Sequence, residues 1–152
     1  MREFVIGCDN AAVALKNEIL TFLGQQGAVV ENLGINDAGD ETFYPLIARR
    51  VCEKVMASGY QTRGILLCGT GIGMCMAANK FKGIRAAVCH DSYSAERSIL
   101  SNNGNVICMG ARVIGPELAK KIIGEWMQLE FEDGSSTPKV RQISQIECIN
   151  MK

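Results

Sequence analysis

Short apolar runs alternate with longer stretches of mixed polarity along the whole chain. The runs have the length of buried strands, and they predict β-strands at residues 4–8, 28–33, 64–67, 84–89 and 105–109. The stretches between them repeat apolar residues at helical spacing and predict helices at 11–23, 44–57, 72–81, 92–101, 116–129 and, after a polar turn at 132–138, 139–149. Nearly continuous apolar strands separated by helices are typical of a parallel sheet covered on both faces. The pattern therefore predicts a single three-layer α/β domain with a five-stranded parallel sheet and an extra C-terminal helix.

The composition fits one globular domain and excludes several classes of partner. The chain has 152 residues, of which 47% are apolar and 21% are charged, and this is enough to bury a core. Sixteen basic residues balance sixteen acidic ones, so no broad electrostatic field favours nucleic acid or an anionic membrane. The sequence has neither an apolar run of roughly 18 residues, as a membrane span requires, nor a signal peptide at its start. We therefore expect a cytoplasmic protein.

The cysteines form no disulfide or metal pattern. There are seven of them, an odd number, without paired CxxC spacing. Most lie in apolar contexts, which favours buried free thiols in a reducing compartment. Because the chain has a single histidine, His90, we expect no metal site.

Polar and reactive residues follow four of the predicted strands. The carboxyl ends of parallel strands meet at one edge of a sheet, and ligands bind there near the point where the strand order reverses. The residues that this rule brings to one edge are Asp9 and Asn10 after the first strand, 68–73 after the third, His90 after the fourth and Arg112 after the fifth.

The segment ILLCGTGIGM, residues 65–74, joins a buried strand to a helix through a glycine-rich turn. Its backbone amides can bind an anion, and the helix dipole adds to this attraction. The spacing does not match a dinucleotide fingerprint, and the GK[ST] of a P-loop is absent. A cysteine phosphatase would need an arginine that closes the loop, whereas this loop runs to Met74 and Cys75. A tight turn without a ligand is an alternative, but Cys68 and Thr70 place reactive groups beside the turn and favour an oxyanion site.

Four segments together identify a family resemblance. CGTGIG, AANKFKGIRAA, DSYSAERSILSNN and GARVIG occur in this order, and the likeness runs from residue 4 to about residue 147. The chain resembles the family of ribose-5-phosphate isomerase B and the galactose-6-phosphate isomerase subunits. The resemblance implies a Rossmann-like αβα fold and a homodimer or homotetramer. It also implies an aldose–ketose isomerase that needs no cofactor and acts on a small-molecule sugar phosphate through an enediolate.

The resemblance assigns roles to individual residues. Cys68 is implied as the base, since loop amides can favour a thiolate, and Thr70 as the group that positions the intermediate. The substrate-binding residues that it implies, together with the loop amides that would hold an oxyanion, are Asp9, Asn10, Gly69, Gly71, Ile72, Gly73, Asn102, Arg112 and Lys139. Weaker candidates, each with an ordinary structural alternative, are Tyr44, His90, Ser101 and Arg141.

The same family implies a site shared between subunits. The cysteine would come from one subunit and the helix that carries Asn102 from the other. The tail, residues 132–152, is expected to reach a neighbouring subunit, where Lys139 and Arg141 are candidate phosphate contacts. A non-catalytic subunit that binds a sugar phosphate is the alternative from another functional class, and the presence of both Cys68 and Thr70 argues against it.

Two positions and one segment depart from the family pattern. Asn10 replaces a histidine that contacts phosphate, Ser101 replaces the histidine that opens a sugar ring, and DGSSTPKV, with Ser135 and Lys139, replaces GGRH and a second arginine. A tetrose 4-phosphate has its ring-forming hydroxyl esterified and needs no acid for ring opening. HDSYSAERSILSNN with GARVIG also looks most like the branch that interconverts D-erythrulose 4-phosphate and D-erythrose 4-phosphate. We therefore expect this tetrose substrate, with ribose 5-phosphate second and a hexose phosphate third.

Overall fold

The computed structural model describes residues 2–151 and confirms the predicted alternation of strands and helices. In chain order the elements are β1 Phe4–Cys8, α1 Val13–Gln25, β2 Val30–Asn32, α2 Tyr44–Ala57, β3 Arg63–Cys68, α3 Ile72–Ala78, β4 Ala86–Val88, α4 Ser92–Leu100, β5 Val106–Gly110, α5 Pro116–Trp126 and α6 Thr137–Asn150.

The five strands form one parallel sheet in the order β2-β1-β3-β5-β4. The chain moves from β1 outward to β2 and then returns to β3 on the other side of β1. The strand order therefore reverses between β1 and β3, and their carboxyl ends, at Cys8 and Cys68, flank the crevice where α/β sheets bind ligands.

The helices cover both faces of the sheet. Helices α2 and α3 pack against each other, whereas α5 packs against both α1 and α4. The central strands β1, β3 and β5 are buried along their whole length, as expected for a sheet covered on two sides. Trp126 is fully buried beneath the ring of Phe4 and the guanidinium of Arg63. These layers confirm the predicted three-layer fold.

Several element boundaries differ from the predicted ones. Strands β2 and β4 have three residues each instead of six, because they are the edge strands and each pairs with one neighbour only. Helix α3 ends at Ala78, three residues early, where the chain turns toward β4. Helix α6 begins at Thr137 and contains Pro138 in its first turn, where the missing proline N–H costs no helical hydrogen bond.

Helix α6 lies largely outside the core. Val140 is its only buried residue, and its apolar side chains Ile143, Ile146 and Ile149 are exposed. The Glu147 carboxylate of α6 accepts a hydrogen bond from the N–H of Gly83, in the turn before β4, at 2.9 Å. Within residues 2–151, no helix combines the length and apolar character needed to cross a membrane.

Candidate active site

The glycine-rich loop begins at the last residue of β3. Cys68 has 5% of its surface exposed, and its sulfur accepts a hydrogen bond from the N–H of Gly71 at 3.0 Å. An N–H donor at sulfur stabilises negative charge there. The thiol is thus held at the mouth of the loop by the loop's own backbone.

Gly71 fits this position because its backbone has a left-handed φ of +79°. A side chain there would also meet the backbone of Met109 at 2.8 Å. Only glycine combines this conformation with so close an approach at low cost. The loop is therefore in close contact with the end of β5.

Two loop amides that we expected to hold an oxyanion have partners inside the loop. The N–H of Gly71 donates to the Cys68 sulfur, and the N–H of Ile72 donates to the hydroxyl oxygen of Thr70 at 3.3 Å. A hydroxyl that accepts one hydrogen bond still has its own hydrogen to donate. The Thr70 O–H is therefore still available as a donor, two residues after Cys68.

The end of β5 supports the loop and adds a cation. The N–H of Ala111 donates to the Cys68 carbonyl at 2.8 Å, and the N–H of Arg112 donates to the Gly69 carbonyl at 3.0 Å. The exposed Arg112 side chain lies against Gly69: a Cβ added at Gly69 would be 3.2 Å from its Nη1. A guanidinium in this position can bind a phosphate with two hydrogen bonds.

Asp9 and Asn10 complete the crevice on the side of β1. The Asp9 N–H donates to the Leu67 carbonyl at 3.2 Å, which places Asp9 next to the end of β3. Its carboxylate accepts from the N–H of Ala11 at 3.0 Å, so the chain turns before α1 begins, two residues later than predicted. Asn10 is exposed beside it.

Tyr44 and His90 also lie at this edge of the sheet. The Tyr44 ring packs on Gly73 so closely that a Cβ there would be 2.5 Å from a ring carbon. Tyr44 is 40% exposed, so it is both a packing residue and part of the rim. His90 follows β4, and its Nε2 accepts the N–H of Gly110 at 2.9 Å. The structure thus brings together the expected residues that follow β1, β3, β4 and β5.

A second thiol, that of Cys75 in α3, has a lowered pKa. A hydrogen bond from the Cys108 thiol lowers the pKa of Cys75 to about 7, against the opposing effect of burial. Burial raises the pKa of Cys52 to about 12 and that of Cys89 to about 11. All seven cysteines are free thiols. Cys75 is therefore the thiol to compare with Cys68 when the base is tested.

Ser101 and Asn102 lie near the amino ends of the strands, whereas Cys68 lies at the carboxyl end of β3. They follow α4, which descends from the carboxyl end of β4, and the N–H of Asn102 donates to the Arg97 carbonyl at 3.2 Å. The neighbouring Asn103 carbonyl accepts from Arg85, which directly precedes β4, at 2.6 Å. Within one chain these two residues and the Cys68 loop are separated by the length of the strands.

Lys139 and Arg141 are exposed on α6. The same helix borders a groove of about 630 Å³ against β4 and the end of α4, which is lined in part by Ile143, Ile146 and Asn102. The structure does not join the basic residues of α6 to the Cys68 loop within one chain.

A buried lysine was missed in the sequence. Lys16 is fully buried, and its ammonium donates to the Ile35 carbonyl at 2.5 Å and to the Asn36 side chain at 2.7 Å. It fixes the segment that follows β2, next to Cys8, whose thiol also donates to the Ile35 carbonyl. A lysine on the inward face of α1, in VALKNEIL, is the signal that could have revealed it.

Comparisons with known proteins agree with this geometry. The model of the ribose/galactose isomerase family matches residues 4–143. The chain is 52% identical to a D-erythrulose-4-phosphate isomerase of Pectobacterium atrosepticum, covering 97% of this chain and 96% of that protein. It is 42% identical to ribose-5-phosphate isomerase B of Escherichia coli, covering 97% of each. The structure of ribose-5-phosphate isomerase B from Clostridium thermocellum superposes with a TM-score of 0.92 at 38% identity, over 97% of this chain and 99% of that one.

The three-layer α/β fold and these relatives together define an aldose–ketose isomerase. The chain belongs to the ribose/galactose isomerase family. The predicted family, fold and enzyme class, an aldose–ketose isomerase, are confirmed.

Proposed function

We propose that this protein interconverts D-erythrulose 4-phosphate and D-erythrose 4-phosphate. The observation that carries the chemistry is the Cys68 thiol, held by the Gly71 N–H beside the Thr70 hydroxyl. The identity of 52% to a D-erythrulose-4-phosphate isomerase, against 42% to a ribose-5-phosphate isomerase B, supports the tetrose. Free thiols throughout the chain agree with a cytoplasmic enzyme.

The proposed reaction moves one proton between C1 and C2 of the sugar. Cys68, as thiolate, removes a proton from C1 of the ketose, and the electron pair forms a C1–C2 enediolate. The Thr70 O–H and the amides of Gly69 and Gly73 are the donors that we propose for the enediolate oxygens. As the proton of the C1 hydroxyl passes to O2, the Cys68 thiol returns a proton to C2, which gives the C1 aldehyde of the aldose. Asp9 binds sugar hydroxyls, and Arg112 and Asn10 contact the phosphate.

The choice of a tetrose follows from the chemistry of ring closure. A pentose 5-phosphate has a free 4-hydroxyl, closes into a ring and needs an acid to open it. A tetrose 4-phosphate carries its phosphate on that oxygen and stays open-chain. Ser101, where the family pattern has a histidine, cannot act as such an acid near neutral pH, and an open-chain substrate makes one unnecessary.

We propose that a second copy of the chain completes each site. It would contribute Asn102 and Ser101, and the tail at 132–152 would bring Lys139 and Arg141 toward the phosphate. Support comes from the separation of Asn102 and Cys68 within one chain and from apolar side chains that a partner would cover. These exposed side chains lie on α6 (Ile146 and Ile149) and beside the loop (Phe43, Ile72 and Met76). A homodimer or homotetramer satisfies this arrangement.

The substrate prediction compares two sugar phosphates in one coupled assay of the purified protein. We expect kcat/KM for D-erythrulose 4-phosphate to exceed that for D-ribose 5-phosphate by at least about tenfold, or roughly 1.4 kcal/mol of transition-state stabilisation. Ser101→His should improve turnover of ribose 5-phosphate more than that of the tetrose, because only a ring form gains from an acid. Thr21→His, at an exposed position of α1 outside the proposed site, serves as the control.

Equal or better wild-type activity on ribose 5-phosphate would exclude the tetrose assignment and return the chain to the pentose-phosphate alternative. Absence of turnover on tetrose, pentose and hexose phosphates alike would favour the non-catalytic alternative.

A further inference from the structure

The His90 side chain continues the hydrogen-bonding ladder of the sheet beyond the end of a strand. Strand β4 ends at Val88, opposite Cys108, and the N–H of Cys89 still donates to the Cys108 carbonyl at 3.0 Å. The next N–H of β5 that faces β4 is that of Gly110. It donates at 2.9 Å to His90 Nε2 instead of to a backbone carbonyl. The imidazole therefore takes the place of a strand at the edge of the sheet where the active site lies.

Gly110 is in direct contact with the reactive loop. It is the ladder partner of Cys68, and a Cβ on Gly110 would lie 2.5 Å from the Cα of Thr70. The next residue, Ala111, donates its N–H to the Cys68 carbonyl at 2.8 Å. Because no side chain separates Gly110 from Thr70, a shift of the Gly110 backbone is transmitted to the loop without attenuation by side-chain packing.

The position of the imidazole is itself fixed. The Asp91 carboxylate accepts the Ser94 N–H at 2.7 Å and caps α4 directly after His90. Cys89, directly before it, is held in the ladder with β5. His90 is half-buried between these anchors. A nitrogen that accepts a hydrogen bond carries no proton, so the neutral ring has its hydrogen on Nδ1.

We propose that His90 is a positioning residue of the isomerase. As a neutral acceptor for the Gly110 N–H, it fixes the end of β5 and, through Gly110, the placement of Thr70 and Cys68. This role rests on the proposed function of the Cys68 loop. It differs from acid–base catalysis by His90, because the Nε2 lone pair is already occupied and no proton transfer by the ring is required.

The test compares three substitutions in the full-length protein. The Gln Oε1 of His90→Gln can accept the Gly110 N–H at a reach similar to that of Nε2, whereas Asn is one methylene shorter and Ala has no acceptor. We expect kcat for the isomerisation to fall roughly tenfold in His90→Ala and His90→Asn, as for a lost buried hydrogen bond. KM should change little, and His90→Gln should restore most of kcat. Gln cannot exchange a proton, so its rescue separates positioning from acid–base catalysis.

A second measurement does not depend on activity. Amide exchange of Gly110, followed by NMR, should be slow in wild type and His90→Gln and faster in His90→Ala and His90→Asn. If His90→Ala does not fold, as judged by circular dichroism, the proposal is tested by comparing kcat and Gly110 amide exchange of His90→Gln with those of His90→Asn.

Two results would overturn the proposal. One is a His90→Gln variant as impaired as His90→Ala, which would indicate acid–base catalysis, and the other is wild-type kcat in all three variants. Failure of the proposed function would be visible separately, as a wild-type protein without turnover that still protects the Gly110 amide.

Discussion

Replacement of Cys68 with alanine is expected to lower kcat roughly 10²- to 10⁴-fold, the usual contribution of a general base. The variant keeps Gly71 and the contacts of the loop with β5, so substrate binding and the fold should persist. The measurement is steady-state kinetics on D-erythrulose 4-phosphate, with circular dichroism to verify folding. The loss should fall on kcat rather than on KM, because the thiol acts on the proton in transit and not on the phosphate.

Cys75→Ala is the matched control for this experiment. A hydrogen bond from the Cys108 thiol lowers the pKa of Cys75 to about 7. Cys75 is therefore the alternative candidate for the catalytic base. Its sulfur donates to the Ala86 carbonyl at 3.4 Å, on the side of β4, and we expect kcat to stay of the wild-type order. A Cys75→Ala variant that loses turnover while Cys68→Ala keeps it would assign the base to α3.

Mixing two inactive variants is expected to restore activity. In the proposed dimer, Cys68 of one subunit and Asn102 of the other belong to the same site. A mixed dimer of Cys68→Ala and Asn102→Ala therefore contains one intact site and one doubly altered site. Random exchange places about half of the subunits in mixed dimers with one working site of two, which predicts about a quarter of wild-type activity.

The control for this mixture is Cys68→Ala exchanged with a Cys68→Ala/Asn102→Ala double variant, in which no intact site can form. Exchange is verified by mass spectrometry of differently tagged subunits. No recovery after verified exchange, or a fully active monomer in sedimentation at assay concentration, would contradict a shared site.

Much of the fold followed from the apolar pattern because the central strands are buried on both faces. Strand β1 was predicted with its observed bounds, and the predicted bounds of β3 and β5 differed by one residue at each end. The edge strands β2 and β4 were overextended, since an apolar run does not show where a strand loses its second neighbour. The order of the strands was not predicted, so the contact between His90 and Gly110 could not be foreseen.

The site was predictable where it depends on strand ends and unpredictable where it depends on packing. Asp9, Cys68 and Arg112 lie at the carboxyl ends of three strands, and a parallel sheet brings all such residues to the same edge whatever the strand order. The use of the Gly71 amide by the Cys68 sulfur depends on the loop conformation, which the letters GTGIG do not specify. The hydrogen bond between Cys75 and Cys108 joins α3 to β5. Because β4 and α4 lie between them in the chain, no local sequence pattern indicates this contact.

The central claim is proton transfer through an enediolate by Cys68 on an open-chain tetrose phosphate. It is tested most directly by incubating the purified protein with D-erythrulose 4-phosphate in D₂O and following the sugar carbons by NMR. We predict that wild type forms D-erythrose 4-phosphate with solvent deuterium at C2 and incorporates deuterium at C1 of the remaining ketose, and that Cys68→Ala does neither. Isomerisation and solvent exchange at wild-type rates in Cys68→Ala would contradict it.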